Sequence, residues 1–221
     1  MKEEIVRQIS NYPLFEGISK QDIQEMIQCM GGFCRTYQKS EILILEKSEI
    51  KNIGLIIQGS VYIMKEDVWG NQVLITKLGP AEIFGETFVC GSVRSAKVSF
   101  IAAEDTEVLF LPFHKVIGVC NLSCVFHHRL IENMMKAVAD KNVKLMEKIE
   151  VTSKKTLRDK IITYLLQEKE RFGSDIFTIP MGRQELADYL CADRTAVARE
   201  LSLMKKDGLL EFEKRKFHLY L

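Results

Sequence analysis

The feature that most constrains the fold is a series of short apolar segments that runs from about residue 33 to residue 111. The segments read EILIL, IGLIIQG, VYIMK, QVLITKL, AKVSFIA and EVLFLP, and turn pairs such as Gly59-Ser60 and Gly79-Pro80 lie between them. Closely spaced strands with regular turns predict an antiparallel sandwich or barrel. The glycines expected to mark its tight corners are Gly54, Gly59, Gly70, Gly79, Gly85 and Gly91.

Helices are predicted on both sides of this β region. Residues 19–31 begin with a serine and carry apolar residues at helical spacing, which predicts a short capped helix. A longer helix is predicted over about 122–149, and its apolar seam has alternating intervals of four and three. The seam consists of Ile131, Met135, Val138, Asn142, Leu145 and Ile149. So narrow a seam favours a coiled coil between two copies of the chain, and packing of this helix on its own β domain is the alternative.

Composition narrows the class of protein. The chain has 221 residues, a formal net charge of +1 and 47% hydrophobic residues, which is typical of a folded protein of one or two domains. The stretch MKEEIVRQIS has no apolar core of a signal peptide, and no apolar run is long enough to cross a membrane, so a cytoplasmic protein is expected. Six cysteines in a chain of this length do not predict a disulfide framework. No catalytic nucleophile with its base, P-loop or dinucleotide fingerprint is found, so an enzyme is not expected.

The last third of the chain predicts a DNA-binding unit. Residues 151–221 carry 14 Lys and Arg against 11 Asp and Glu, and two short helices joined by Ala192-Asp193 suggest a helix-turn-helix. Asp193 is a suitable N-cap for the second helix. Arginine near the start of such a helix can donate two hydrogen bonds to guanine, while the first helix and a basic hairpin tip meet the phosphate backbone. The expected DNA contacts are Arg183, Gln184, Arg194, Thr195, Arg199, Lys214 and Arg215, with Lys216 completing the basic tip.

The stretch RQELADYLCADRTAVARELSLMKKDGLL resembles the helix-turn-helix of the Crp/Fnr family of bacterial transcription regulators. PLFEGIS, the β-region glycines, IFGE, the long helix and the basic tail also occur in the order of that family, so the resemblance spans nearly the whole chain. It implies an α+β fold with a cyclic-nucleotide-binding-like antiparallel β-roll over residues 1–120, a dimerisation helix over 121–150 and a winged helix-turn-helix DNA-binding domain over 151–221. It also implies a homodimer that binds a palindromic operator in double-stranded DNA and contacts RNA polymerase. Where well-known members have an Arg-Glu pair, this chain has Arg194-Thr195, so a different operator sequence is expected.

The effector of the β-roll is left open among several hypotheses. In cyclic-AMP-binding members of the family, a Gly-Glu pair and an Arg-Ser pair hold the nucleotide, and the matching residues here are Gly85, Glu86, Arg94 and Ser95. The link between these pairs is about two residues shorter here and contains Phe88, Val89 and Cys90. The long helix has Leu145 and Met146 where those members reach the adenine with hydroxyl groups.

An unidentified small effector in the pocket of the β-roll and the dimer helix is therefore the leading hypothesis, with a cyclic nucleotide as the alternative. A scaffold that binds a cyclic nucleotide without DNA is a further alternative, which the basic second helix and wing disfavour.

A thiol or metal redox sensor is the remaining hypothesis. Cys120, Cys124 and His127 share one face of a continuous helix, and Cys90 could approach them. Their spacing fits no standard signature, and the cysteine cluster of the family's iron–sulfur oxygen sensor is not matched. Burial of cysteine as a small hydrophobic side chain is the simpler interpretation, and neither a metal nor haem is expected.

Overall fold

The computed structural model describes residues 3–67, 69–70, 72–118 and 125–221. Contacts divide the chain into two compact units, Met1–Ala139 and Asp140–Leu221. The domain boundary predicted at residues 120 and 121 lies outside the described residues. The boundary predicted at 150 and 151 stays a prediction, whereas the contact division falls inside the long helix.

The structure contains the helices predicted over residues 19–31 and about 122–149 and the two short helices of the last third, and it adds short helices that the sequence pattern did not predict. None of the helices in the described ranges combines the length and apolar character that crossing a membrane requires. A 3₁₀ turn covers Pro13–Phe15. The α-helices are α1 (Glu3–Ile9), α2 (Lys20–Met30), α3 (Glu86–Val89), α4 (Phe113–Val116), α5 (Val125–Thr152), α6 (Leu157–Phe172), α7 (Arg183–Tyr189) and α8 (Arg194–Lys206).

Side-chain caps fix the starts of two of these helices. Ser19 caps α2, and its Oγ accepts a hydrogen bond from the Asp22 amide at 3.2 Å. Thr156 caps α6 in the same way, since its hydroxyl accepts from the Asp159 amide at 3.1 Å. The Ser19 cap confirms the helix start predicted from the sequence.

The strands form three antiparallel sheets, as the alternating segments predict. Two four-stranded sheets, with strand orders β1-β8-β3-β6 and β2-β7-β4-β5, make the roll of the first unit, and β10-β11-β9 makes the wing sheet of the second. The strands are β1 (Phe33–Tyr37), β2 (Ile42–Ile44), β3 (Asn52–Gln58), β4 (Val61–Glu66), β5 (Gln72–Leu78), β6 (Ile83–Phe84), β7 (Ser99–Ala102), β8 (Thr106–Pro112), β9 (Ile176–Thr178), β10 (Leu210–Glu213) and β11 (Lys216–Leu219).

Two glycines of the roll have different functions. Gly59 has a φ of +81°, and a Cβ there would lie 2.4 Å from the Asp105 carbonyl oxygen, so the predicted tight corner is confirmed. Gly54 lies in the middle of β3 and is not at a corner, so that prediction is wrong. A Cβ on Gly54 would lie 2.2 Å from the ring of Phe84, so this glycine makes room for an aromatic side chain.

The first part of α5 packs on the roll unit through one face. Leu130 and Met134 are buried in the core of that unit. The Asn133 side chain is buried between them and donates hydrogen bonds to the carbonyls of Leu14 at 3.1 Å and Glu16 at 2.9 Å. These bonds tie α5 to the PLFEG turn that follows α1.

A charged cluster joins the end of α5 to α6 within the second unit. The guanidinium of Arg171 pairs with the buried Glu168 and donates a 2.9 Å hydrogen bond to Glu147 of α5. Burial raises the pKa of the Glu168 carboxyl, Arg171 opposes that shift, and the charge of Glu147 adds to it. Gln167 donates to the Glu147 carbonyl at 3.2 Å, so α5 and α6 are bonded through side chain and backbone.

Candidate functional site

The crossing of α7 and α8 has the packing expected of a helix-turn-helix. Ala187 is fully buried where the two helices meet, and its small side chain permits a close approach. The apolar residues predicted to pack here are buried in one core: Leu186, Leu190, Val197, Leu201 and Met204. Tyr189 is half-buried and instead lies against Tyr164, with ring centroids 5.3 Å apart.

The start of α8 presents polar side chains to solvent. Arg194, Thr195 and Arg199 are exposed there, and among the described residues neither arginine forms an ion pair. Asp193 occupies the predicted N-cap position, but no cap hydrogen bond of its side chain is found within the described ranges. The backbone amides at the start of α8 therefore lack this capping acceptor, and the positive end of the helix dipole adds to the charge of Arg194.

Arg158 of α6 holds the rest of α8 in place. Its Nε donates to Glu200 at 2.6 Å and its Nη1 donates to Asp207 at 2.7 Å, so one guanidinium bridges the middle and the end of α8. These hydrogen bonds raise the pKa of Arg158. The bridge fixes the helix whose first two turns carry the exposed arginines.

The two residues predicted at the start of α7 differ in environment. Gln184 is exposed, and its Nε2 donates to Asp188 at 2.9 Å. Arg183 is half-buried, with its guanidinium carbon 4.7 Å from the ring centroid of Phe212 and 5.4 Å from that of Phe217. Burial lowers the pKa of Arg183. This stacking was not predicted from the sequence, although the alternation of Leu210 and Phe212 with two glutamates in β10 is typical of a strand with one buried face.

The tip of the wing carries the predicted basic residues. Lys214 turns the chain between β10 and β11 with a φ of +51° and is exposed. Arg215 is also exposed, and its Nη1 donates to the Pro180 carbonyl at 3.1 Å. The wing tip is therefore bonded to the segment that leads into α7.

The predicted seam of α5 lies beside the face that packs on the roll. Met135 and Ile149 are about two-thirds exposed, Leu145 is 57% exposed, and Asn142 is also exposed. Ile131 and Val138 are half-buried, and Ile131 packs at the edge of the roll core. Up to Ala139 the helix thus packs on the roll through one stripe, and most of the predicted seam is exposed.

The four residues that match the nucleotide-holding pairs of the family, Gly85, Glu86, Arg94 and Ser95, are called the cassette here and lie in different surroundings. Gly85 and Glu86 are buried at the start of α3, whereas Arg94 is exposed. The Ser95 hydroxyl donates to the Lys47 carbonyl at 3.2 Å. Arg94 lines a cavity of about 440 Å³ together with Glu49, Lys51, Val89, Phe113 and His114, among others. Gly85, Glu86 and Ser95 are not among the lining residues of that cavity.

Aromatic rings occupy the interior of the roll. Phe84 and Phe100 are almost fully buried with centroids 5.1 Å apart, and Phe88 meets Phe100 edge to face at 6.5 Å. Phe110 lies 6.0 Å from Phe84 on the other side. The apolar filling expected from the sequence of the cassette is therefore continuous with the core.

The thiol hypothesis involves four residues, of which Cys90 and His127 are described. Cys120 and Cys124 lie outside the described residues. Partial desolvation and the charge of Glu86 raise the pKa of the Cys90 thiol, which disfavours the reactive thiolate. His127 is buried, and desolvation followed by the charge of His128 lowers its pKa. Across residues 3–67, 69–70, 72–118 and 125–221, no group of three His, Cys, Asp or Glu side chains could hold a metal ion.

Family models match both units of the chain. Residues 34–122 match the cyclic nucleotide-binding domain, and residues 159–220 match the Crp-like helix-turn-helix domain. The first match contains the roll and its cassette, and the second contains α7, α8 and the wing.

Relatives and solved structures agree with these matches. The chain is 23% identical over 184 residues to the transcriptional activator protein FnrA of Stutzerimonas stutzeri, covering 81% of this chain and 73% of that protein. It is 23% identical over 199 residues to the cyclic AMP receptor protein of Thermus thermophilus, covering 90% and 88%. Its fold is similar to that of the c-di-GMP-responsive global regulator CLP of Xanthomonas campestris, with a TM-score of 0.60, 17% identity and coverage of 90% and 98%.

Proposed function

We propose that this chain, which belongs to the Crp/Fnr family of DNA-binding transcription regulators, is a homodimer that binds a palindromic operator through α8 of each copy. The observation that carries this proposal is the exposed face of the first two turns of α8, with Arg194, Thr195 and Arg199 beside a fully buried helix crossing. A docked helix-turn-helix presents this part of its second helix to the major groove. The chain acts by binding DNA and RNA polymerase, and not as an enzyme.

The exposed residues divide into base contacts and phosphate contacts. Arg194 and Arg199 are the candidates for bidentate hydrogen bonds to guanine, with Thr195 beside them. Gln184, Lys214 and Arg215 are the candidates for the phosphate backbone, and Arg183 belongs to the same predicted set. Because threonine lacks the carboxylate that accepts from cytosine, we expect an operator that differs from the cyclic-AMP-receptor consensus.

The partner that packs against the α5 seam is the same helix of a second copy of the chain. The exposed apolar residues Met135, Leu145 and Ile149 lie at coiled-coil spacing, and Asn142 is the polar position that sets register and partner number. Leu145→Arg should convert the dimer to a monomer in sedimentation analysis. Val143→Arg is the matched control, because Val143 is an exposed apolar residue of α5 outside the seam. A dimer that survives Leu145→Arg would exclude this seam.

The effector is a small molecule other than a cyclic nucleotide, bound in the roll beside α5. The roll interior is filled by Phe84, Phe88 and Phe100, so a nucleotide base would have to displace packed rings. Thermal-shift measurements with cyclic AMP, cyclic GMP and cyclic di-GMP should therefore leave the midpoint unchanged. A saturable shift that Arg94→Met abolishes would overturn this proposal in favour of the cassette of Gly85, Glu86, Arg94 and Ser95.

DNA binding is tested by enrichment of random-sequence duplexes on the full-length protein. We expect a palindrome whose half-sites are about one helical turn apart. The Arg194→Ala/Arg199→Ala variant should fail to enrich it while remaining folded. Failure of the unaltered chain to enrich any palindrome would favour the alternative of a scaffold that does not bind DNA.

A further inference from the structure

Four phenylalanine rings form a continuous row in the second unit, which we call the aromatic row: Phe172, Phe177, Phe217 and Phe212. Phe217 is paired with Phe177 on one side of β11 and with Phe212 on the other, so their side chains share one face of the wing sheet. Successive ring centroids lie 6.1, 6.4 and 5.8 Å apart. Three of the four rings belong to the strands β9, β11 and β10, so the row spans the whole wing sheet.

Arg183 covers the end of the aromatic row that lies nearest the wing hairpin. Its guanidinium carbon lies 4.7 Å from the centroid of Phe212 and 5.4 Å from that of Phe217, so it contacts both strands of the hairpin at once. Lys205 approaches Phe212 less closely, at 6.0 Å. Because Arg183 is the first residue of α7, this stack connects the helix-turn-helix directly to the wing.

We propose that Arg183 is a positioning residue that sets the orientation of the wing, so that its contribution to DNA affinity acts through Lys214 at the wing tip. This inference rests on the proposed function, in which Lys214 contacts the phosphate backbone. It differs from the contact predicted from the sequence, in which Arg183 itself meets a phosphate.

The chemistry of the guanidinium suits this assignment. A planar, delocalised cation stacks on aromatic rings with little loss of hydrogen-bonding geometry, whereas the compact ammonium of lysine does not reproduce the stack. Burial of Arg183 also lowers its pKa, which is the reverse of what an anionic partner would do. The hydrogen bond from Arg215 to the Pro180 carbonyl ties the turn of the hairpin to the segment before α7. The hairpin is thus attached at two points, to Arg183 in α7 and to Pro180 before it.

The test is the salt dependence of operator binding by the full-length protein for Arg183→Met, Lys214→Ala and the double variant. Each phosphate contact adds about 0.9 to the slope of log K against log salt. If Arg183 acts through the wing, Lys214→Ala should lower the slope of the unaltered protein by about 0.9 per half-site and should lower that of Arg183→Met by nothing further. If Arg183 is an independent phosphate contact, Lys214→Ala should remove about 0.9 per half-site from Arg183→Met as well, which would overturn the proposal.

Arg183→Lys separates charge from stacking. The proposal expects it to behave like Arg183→Met, whereas a direct phosphate contact would keep nearly the slope of the unaltered protein. Arg7→Met is the matched control, because Arg7 is an exposed arginine of α1 in the other unit. It should leave both slope and affinity unchanged, and a changed slope would show that the measurement is not specific to the wing and would contradict the proposal.

Hydrogen exchange of the free protein tests the same proposal without DNA. Amides of the hairpin over 210–219 should exchange faster in Arg183→Met than in the unaltered chain, and faster than in Arg7→Met. If Lys214→Ala leaves the slope unchanged, the proposed wing contact with DNA fails, and the exchange result alone decides whether Arg183 positions the wing. Unchanged exchange in Arg183→Met would overturn the inference in every case.

Discussion

The two units of this protein differ in where their aromatic and cationic side chains lie. In the roll, aromatic rings fill the interior, and the one cationic member of the cassette, Arg94, is exposed at its rim. In the second unit, α8 carries exposed arginines, and Arg158 of α6 holds this helix in place through two ionic hydrogen bonds. A small-molecule site needs empty volume lined by convergent polar groups, whereas a polyanion needs only exposed cations on a rigid support. The proposed DNA-binding face therefore needs only exposed side chains on a rigid helix, whereas a ligand site in the roll needs open volume among polar groups.

The largest expected effect is a loss of unfolding free energy when a ring is removed from the aromatic interior of the roll. Phe84→Ala should lower the unfolding free energy of the first unit by about 3–5 kcal/mol, because the ring packs against Gly54 and Phe100 and leaves a cavity when removed. Phe33→Ala, at a half-exposed phenylalanine of β1, should cost clearly less. Hydrogen exchange of the roll amides measures the unfolding free energy of the first unit in each variant, independently of the second unit. A Phe84→Ala protein with unchanged stability would mean that this ring is not part of a close-packed core.

The ionic support of the second unit is tested by Arg171→Met. Loss of its guanidinium leaves Glu168 buried without its cation, and we expect a loss of about 1–3 kcal/mol near neutral pH.

The pH dependence of this loss has a definite sign. Because the pKa of Glu168 is raised in the folded protein, the folded state holds its proton longer than the unfolded chain does. The unfolding free energy therefore falls as pH rises from the ordinary glutamate pKa to the raised one. Without Arg171 the pKa rises further, so chemical denaturation at a series of pH values should show the fall continuing to higher pH. The added substitution Glu168→Gln should remove this dependence, and a dependence that persists would contradict the assignment to Glu168.

The exposed face of α8 is tested by Arg194→Ala. We expect a loss of about 1–3 kcal/mol in affinity for the selected operator, with relaxed preference at one base pair of each half-site. Fluorescence anisotropy on the operator and on its single-base variants measures both quantities, and Arg7→Ala provides the control for a lost positive charge. An equal loss on every sequence would instead make Arg194 a phosphate contact.

The smallest effect is expected at Arg94, the corresponding exposed arginine of the roll. Its side chain forms no hydrogen bond or ion pair with the described residues, so Arg94→Met should change the unfolding free energy by less than about 0.5 kcal/mol. Chemical denaturation beside the unaltered chain is sufficient to measure it. A larger loss would show that Arg94 supports the roll, and the contrast with the arginines of α8 would no longer hold.

Several features were predictable because local physics decides them. The cap of Ser19, the strand segments of the roll and the buried crossing around Ala187 follow from spacing and side-chain size within a few residues. Gly54 was misjudged because its neighbour, Phe84, is distant in sequence and adjacent only in the sheet. The capping bond of Asp193 was expected from residue type alone, and its side-chain orientation follows from contacts that the sequence does not specify.

The sequence by itself determined the order of roll, long helix and winged helix-turn-helix, since periodicity, caps and turn residues act locally and the family resemblance rests on that order. Only the tertiary structure decided what the aromatic and charged side chains do. It packed Phe84 against Phe100 in the interior of the roll, placed Arg183 over Phe212 and Phe217, and buried Glu168 beside Arg171. Each of these depends on which side chains meet across strands and helices far apart in the chain, and stacking, desolvation and charge pairing arise only at such contacts.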